Sequence, residues 1–68
     1  MFTVYVLKSK NHNFHYIGYT KNLENRLKAH NYGKVKSTKG YKPFEVIYTE
    51  KFDSKSEAYK REMYLKST

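Results

Sequence analysis

The alternation of hydrophobic and polar residues predicts three β-strands, at residues 2–8, 14–19 and 44–51. In the first strand Phe2, Val4 and Val6 would point to one face and the residues between them to the other. The polar residues 9–13 predict a turn that joins the first two strands as a hairpin. Gly18 interrupts the second strand, which indicates either a close approach of the backbone or a site that is kept open.

A long polar segment at residues 32–43 precedes the third strand. It contains two glycines and a proline, which predict a loop. In the third strand itself Phe44, Val46 and Tyr48 would share one face.

The spacing of apolar residues changes to that of a helix at residues 22–30. Leu23, Leu27 and His30 follow the i, i+4, i+7 spacing of an inward face, and Thr20 would cap the start of the helix. Residues 31–33 tolerate the backbone geometry that ends a helix.

A second helix is predicted to begin at Asp53 and Ser54. Ser54 and Glu57 have the spacing of a capping box, in which both side chains satisfy free backbone donors. Ala58, Met63 and Leu65 would point toward the core. A carboxylate, Glu62, lies close to the same buried stripe.

The resulting order is strand, strand, helix, strand, helix. This order predicts an α+β fold, with a three-stranded, mostly antiparallel sheet flanked by two helices. At 68 residues the chain has room for one domain and one small core. We expect a single domain over residues 1–68, which either lacks a C-terminal tail or helix or is a minimal version of the fold.

The net charge of the chain indicates which class of partner it binds. Fourteen lysines and arginines stand against six acidic residues, for a formal net charge of +8. Nucleic acid is the expected partner, because neutralising its phosphates releases counterions and drives association. An anionic membrane surface ranks second, since no strongly amphipathic basic helix is found.

Composition also excludes several classes of protein. There is no cysteine, which excludes disulfides and thiolate zinc sites. No apolar run is long enough for a membrane span, and the N-terminal residues do not resemble a signal peptide. These features predict a cytoplasmic protein.

Two tyrosines on the predicted hairpin are the first candidates for chemistry. If Tyr5 and Tyr16 are opposite or diagonal neighbours, both phenols lie on one face. Two phenols together can hold a water molecule and bind a phosphate oxygen. Taken singly, each tyrosine is also an ordinary half-buried strand residue.

Arg26 and His30 are four residues apart and would emerge from the same helix face. An arginine can clamp a phosphate and stabilise developing negative charge, and a histidine can move a proton near neutral pH. The alternative is a solvated helix face with an incidental histidine.

Glu62 is the candidate metal ligand. A carboxylate near a buried stripe is costly unless it is paired or binds a metal. The alternative is a surface ion pair with Lys66, one helical turn away. With so few acids, a site for two metals is disfavoured, but one magnesium can bind through a single carboxylate, waters and a substrate phosphate.

Lysines are concentrated in the loop at residues 32–43. They would contact the nucleic-acid backbone without reading its sequence, or else simply be solvated. The lysines are Lys34, Lys36, Lys39 and Lys42.

Taken in order, these residues resemble the GIY-YIG nuclease family. Thr-Val-Tyr at 3–5 and Tyr-Ile-Gly at 16–18 take the places of the two motifs that name the family. Residues 16–31 carry the expected arginine and histidine, and residues 56–62 resemble the helix with the metal-binding glutamate. The resemblance covers essentially the whole chain, and is greatest to small members without a separate DNA-recognition domain.

The resemblance implies metal-dependent hydrolysis of phosphodiester bonds in DNA, with Mg²⁺ or Mn²⁺ as the cofactor and a role in DNA repair or recombination. Tyr5 would be the general base or orient the water, Tyr16 would support the nucleophile and phosphate, and Gly18 would lie against the DNA. Arg26 would hold the phosphate, His30 would accept or relay a proton, and Glu62 would bind the metal.

The sequence departs from the family pattern in two places. Thr3 and Val4 replace glycine and isoleucine, and no asparagine follows Glu62, whereas many members have one. Two alternatives to an independent endonuclease are a nucleic-acid-binding domain with little or no catalysis and a domain whose protein partner supplies specificity. Whether Tyr5 or His30 acts as the base is left open by the sequence.

Overall fold

The computed structural model describes residues 1–67 and contains the five predicted elements in the predicted order. The loop before the third strand also contains a short 3₁₀ helix that the sequence did not predict. The elements are β1 Phe2–Ser9, β2 His15–Thr20, α1 Leu23–Asn31, the 3₁₀ helix Lys39–Tyr41, β3 Phe44–Phe52 and α2 Lys55–Lys66. The predicted α+β class and three-stranded sheet are confirmed. No helix within these residues is long and apolar enough to cross a membrane.

The sheet has β1 in the centre, with β2 and β3 as its antiparallel neighbours. Residues on both faces of β1 are buried, including Val4 on one face and Tyr5 and Leu7 on the other. In the β1–β2 register Tyr5 pairs with Gly18 and Leu7 pairs with Tyr16. Tyr5 and Tyr16 are therefore diagonal neighbours on one face, which was one of the two predicted arrangements.

A β-bulge changes the pattern of β3. Leu7 pairs with Val46 but Val6 pairs with Tyr48, so Ile47 is an extra residue and is 50% exposed. A bulge shifts the side-chain alternation by one position. The prediction that Tyr48 shares a face with Phe44 and Val46 is therefore wrong, because Tyr48 pairs with the opposite face of β1.

Helix α1 packs on the sheet face that carries Tyr5. Leu23 and Leu27 pack against the buried cluster of Tyr5, Leu7 and Phe44, as their spacing predicted.

The ends of α1 are held by two asparagines. The prediction that Thr20 caps the helix is wrong, since the Asn22 side chain is the cap and accepts the backbone N–H of Asn25 at 3.1 Å. Thr20 instead accepts the backbone N–H of Asn22. At the other end the Asn31 side-chain oxygen accepts the backbone N–H of Phe44 at 2.6 Å, which ties α1 to β3. Gly33 follows with φ of 75°, the left-handed geometry that favours glycine.

Helix α2 begins at the predicted capping box and contacts all three strands. The Ser54 side chain accepts the backbone N–H of Glu57 at 3.2 Å, but the Glu57 carboxylate accepts the Ser54 hydroxyl and not a backbone N–H, so only half of the predicted box forms. Ala58 and Glu62 are buried, but Met63 is 46% exposed, so the prediction that Met63 points into the core is wrong. The inward stripe advances by four residues from Ala58 to Glu62, which turns the next residue away from the sheet.

Candidate active site

An open cleft of about 370 Å³ lies beside the β1–β2 hairpin. It collects side chains from both strands and both helices. Its lining residues are Tyr5, Tyr16, Gly18, Tyr19, Thr20, Arg26 and Glu62. Four of the five residues singled out for catalysis therefore line one cleft, and sequence reasoning did not anticipate the contributions of Tyr19 and Thr20.

The two candidate phenols meet at the floor of the cleft. The rings of Tyr5 and Tyr16 are 6.2 Å apart between centroids, as their diagonal register requires. Tyr5 is 1% exposed, whereas Tyr16 is half-buried. Burial raises the pKa of the Tyr5 phenol above its usual value, although its hydrogen bond with Arg26 opposes the rise. Tyr5 is therefore a neutral phenol at neutral pH.

Arg26 lies next to both phenols. Its guanidinium faces the phenols of Tyr5 and Tyr16, and the interaction with the Tyr5 hydroxyl is the main reason why the pKa of Arg26 is raised. Because a guanidinium only donates hydrogen bonds, Arg26 must be the donor in both contacts. Arg26 thus places a permanent positive charge at the cleft. An anionic group of a ligand could take over the interactions that Arg26 makes with the two phenols.

His30 lies behind Tyr5 and not in the cleft. It is 0% exposed, and its Nε2 is 3.4 Å from the Tyr5 hydroxyl. Burial, together with the charge of Arg26, lowers the pKa of His30 to about 4, so the ring is neutral at neutral pH. His30 therefore touches the cleft through its contacts with Tyr5 and with the Tyr16 ring, 4.8 Å away between centroids, a relation that the i, i+4 spacing with Arg26 did not indicate.

Thr38 is a polar neighbour of His30 that sequence reasoning missed. Its side-chain oxygen lies 2.8 Å from His30 Nδ1, and the residue is fully buried. Thr38 belongs to the lysine-rich loop, so composition gave no signal that distinguished it from the solvated residues around it.

Glu62 reaches the cleft from α2 and is 9% exposed. It also pairs with Lys66, whose Nζ lies 2.6 Å from Glu62 Oε2 and whose pKa is raised by that hydrogen bond. Glu62 therefore fits both interpretations drawn from the sequence. Its carboxylate faces the cleft, where it could bind a metal, and it also forms the predicted ion pair with Lys66.

The residues described contain no group of three or more His, Asp or Glu side chains that could hold a metal. Glu62 is the carboxylate among the cleft residues. One carboxylate facing an open cleft fits magnesium, which needs only one or two protein carboxylates when waters and substrate phosphates complete its shell.

The four loop lysines are all exposed, and none lines the cleft. The 3₁₀ helix Lys39–Tyr41 and the turn before it give this loop a defined path. The structure therefore places Lys34, Lys36, Lys39 and Lys42 outside the cleft, on a loop whose Thr38 contacts His30.

Gly18 makes room for the phenols. A Cβ at this position would lie 2.8 Å from the Tyr5 hydroxyl oxygen and 3.1 Å from Cε2 of Tyr16. The interpretation of Gly18 as a position of close approach is confirmed, and the group approached is the Tyr5 side chain across the strand pair.

The substitution Gly18→Ala is expected to displace Tyr5, because the buried ring has little room to move. A shift of a fraction of an ångström in a reacting group should lower any activity of the cleft about tenfold or more. Gly40→Ala is the matched control, since a Cβ there meets nothing within 4 Å. Activity of both variants on the same substrate is the measurement, and equal activities would show that the space beside Tyr5 is not needed.

Comparison with known proteins identifies the family of the chain. The sequence model of the GIY-YIG catalytic domain matches residues 1–68. The chain is 48% identical over 64 residues to UPF0213 protein OB0043 of Oceanobacillus iheyensis, a match covering 93% of this chain and 73% of that protein. UPF0213 protein CPE1444 of Clostridium perfringens is also 48% identical over 64 residues, with 93% and 68% covered.

A solved structure is similar as well. The solution NMR structure of UPF0213 protein BH0048 from Bacillus halodurans has a TM-score of 0.59 and 38% sequence identity. The match covers 100% of this chain and 73% of that one. The chain therefore belongs to the GIY-YIG family, and its relatives are the small UPF0213 proteins.

Proposed function

We propose that this protein is a divalent-metal-dependent endonuclease that hydrolyses DNA phosphodiester bonds with little sequence specificity. The observation that carries the proposal is the convergence of Tyr5, Tyr16, Arg26 and Glu62 on one open cleft. These side chains come from four different elements, so their meeting is a property of the fold. Together they offer a positive charge, a carboxylate and two phenols to one ligand.

Arg26 is the proposed phosphate-binding group. Attack on a phosphodiester builds negative charge on the phosphate oxygens, and a fixed guanidinium stabilises that charge without reorganising. In the free protein Arg26 interacts with the hydroxyls of Tyr5 and Tyr16, which are weaker partners for a guanidinium than a phosphate. Binding of DNA would therefore strengthen the hydrogen bonds that Arg26 makes, and Tyr16 would support the same phosphate.

Tyr5 and His30 are proposed to move the proton in series. A free phenolate at pH 7 would cost roughly 4 kcal/mol, and burial of Tyr5 adds to that cost. The phenol can avoid this cost if it passes its own proton to His30 Nε2 while it takes one from the attacking water. Protonating a histidine with a pKa of about 4 costs a similar amount at pH 7. A bound phosphate would offset the charge of Arg26 and lower this second cost.

Glu62 is the residue that would hold Mg²⁺ or Mn²⁺. A metal there would supply Lewis-acid stabilisation of the phosphate and its leaving oxygen. The ion pair with Lys66 competes for the same carboxylate, since Lys66 Nζ lies 2.6 Å from Glu62 Oε2. The Lys66 side chain is exposed and can return to water, so a divalent ion with a bound phosphate can displace it from Glu62.

The exposed lysines at 34, 36, 39 and 42 are proposed to contact the DNA backbone outside the cleft. Contacts of this kind position DNA but do not read its sequence. Gly18 would allow the backbone of the substrate to lie close to β2. Specificity would then come from the shape of the DNA, as in repair or recombination intermediates, or from a protein partner.

The test is incubation of supercoiled plasmid and of branched DNA with the protein, with magnesium or manganese and with chelator. We expect nicking only with metal. Glu62→Gln should reduce its rate about a hundredfold, because a metal at this site is expected to contribute several kcal/mol.

Glu24→Gln is the matched control, because Glu24 forms the corresponding i, i+4 pair with Lys28 on α1 and has an exposed side chain. It makes the same change in net charge and should cut like the unmodified protein. DNA binding without cutting by any of the three proteins would instead support a binding domain. Equal cutting by all three would exclude Glu62 as the metal ligand.

A further inference from the structure

Three buried side chains form a hydrogen-bonded row that leads away from the cleft. The Tyr5 hydroxyl lies 3.4 Å from His30 Nε2, and His30 Nδ1 lies 2.8 Å from Thr38 Oγ1. Thr38 Oγ1 donates in turn to the backbone carbonyl of Val35 at 3.3 Å. All three residues are at most 1% exposed, so bulk water has little access to these contacts.

The direction of every hydrogen bond in the row follows from counting protons. Arg26 can only donate to the Tyr5 oxygen, so the hydroxyl proton of Tyr5 needs an acceptor, and His30 Nε2 is the acceptor in contact. A neutral histidine that accepts at Nε2 carries its proton on Nδ1. Thr38 Oγ1 can accept that proton because its own proton goes to the Val35 carbonyl.

The reverse arrangement of hydrogen bonds leaves the Tyr5 proton without an acceptor in the row. If the Thr38 hydroxyl donated to His30 Nδ1, then Nε2–H would point at Tyr5. The Tyr5 oxygen would face donors from both Arg26 and His30 while its own proton had no acceptor within the row. In that arrangement the Tyr5 proton would have to turn toward the open cleft, whereas the first arrangement gives every proton of the row an acceptor within it, so the first arrangement is favoured.

We propose that Thr38 is a positioning residue that holds His30 in the tautomer with the proton on Nδ1, so that Nε2 stays free to take the proton of Tyr5. The role in cutting rests on the proposed nuclease function, whereas the tautomer itself does not. Thr38 thereby links the lysine-rich loop to the proton route behind the cleft.

The hydroxyl of Thr38 can be tested apart from the loop that carries it. Backbone hydrogen bonds hold the loop here, from Thr38 N to Val35 O at 3.1 Å and from Tyr41 N to Thr38 O at 3.0 Å. These bonds remain in Thr38→Val, which has nearly the same shape and lacks only the hydroxyl. Thr38→Ser restores the hydroxyl and is the conservative rescue variant.

The first measurement is the long-range ¹H–¹⁵N NMR spectrum of the His30 ring, which identifies the protonated nitrogen. We expect Nδ1–H in the unmodified protein and in Thr38→Ser, and a shift toward Nε2–H or a mixture in Thr38→Val. Nε2–H in the unmodified protein would overturn the proposal. So would an unchanged ring spectrum in Thr38→Val, because Thr38 would then not select the tautomer.

The second measurement is the rate of DNA nicking by the same three proteins. Groups that orient a functional histidine through its other nitrogen typically contribute about 10- to 100-fold, so Thr38→Val should lose at least about tenfold and Thr38→Ser should recover most of it. Full activity in Thr38→Val would overturn the proposal that Thr38 supports cutting. If the unmodified protein shows Nδ1–H but never cuts DNA, the tautomer assignment stands and the nuclease proposal fails.

Discussion

Arg26→Met is expected to lower the rate of DNA nicking about a thousandfold, the upper range for removing one preorganised group that stabilises developing negative charge. Arg26 contacts the phenols of Tyr5 and Tyr16 in the cleft, and it carries the positive charge among the lining residues. Metal at the cleft would neutralise part of the phosphate charge, but it lacks the fixed fork of donors that a guanidinium offers. The measurement is the single-turnover nicking rate at saturating metal.

Lys28→Met is the control for charge, because Lys28 lies two residues away on the same helix and is exposed. It removes one positive charge and should weaken DNA binding only slightly, with a cutting rate close to that of the unmodified protein. If the two variants lose activity equally, Arg26 contributes only to the general positive field. Arg26→Lys should recover little, since an ammonium does not reproduce the planar donor geometry.

Tyr5→Phe is expected to lower the same rate by about 10²- to 10⁴-fold, the usual contribution of a positioned proton-transfer group. The ring remains in its place in the cluster with Leu7 and Phe44, so the fold should be kept. The lost hydroxyl leaves His30 Nε2 buried without a donor, which should reduce the free energy of unfolding by about 1–3 kcal/mol. Nicking kinetics and chemical denaturation measure the two effects separately.

The control is Tyr59→Phe, which removes a hydroxyl from an exposed tyrosine of α2. It should change neither the nicking rate nor the free energy of unfolding. Near-full cutting by Tyr5→Phe would exclude Tyr5 as the base, and because His30 does not line the cleft, a group outside this row, such as Tyr16, would then have to take the proton of the water.

Local features of the chain were predictable because their causes are local. The capping box at Ser54 and Glu57 identifies a helix start from four neighbouring residues, and it lies where the sequence indicates. Errors arose where a neighbouring element or residue decided the outcome. Ile47 is a bulge because of the register between β1 and β3, and Asn22, two residues after Thr20, is the cap because the Thr20 side chain bonds to the Asn22 backbone instead.

The candidate site likewise contains residues that the sequence predicted and contacts that it could not predict. Arg26, Tyr5, Tyr16 and Glu62 were recognisable from their types, order and spacing, and they do converge. His30 was predicted on the inward face of α1 and is buried there, but its contact with Tyr5 was not predictable, because helix spacing does not give the distance to the sheet. Thr38 was missed for the same reason, since only folding of the loop brings it to His30.

The sequence by itself determined the order of strands and helices, the basic charge and the set of residues that can do chemistry. These follow from periodicity and side-chain type, which act within a few residues. The tertiary structure decided which of those side chains share the cleft, which lie behind it, and which partner each one has. Those outcomes depend on strand register and helix packing, so they bring together residues as distant in sequence as Tyr5 and Glu62.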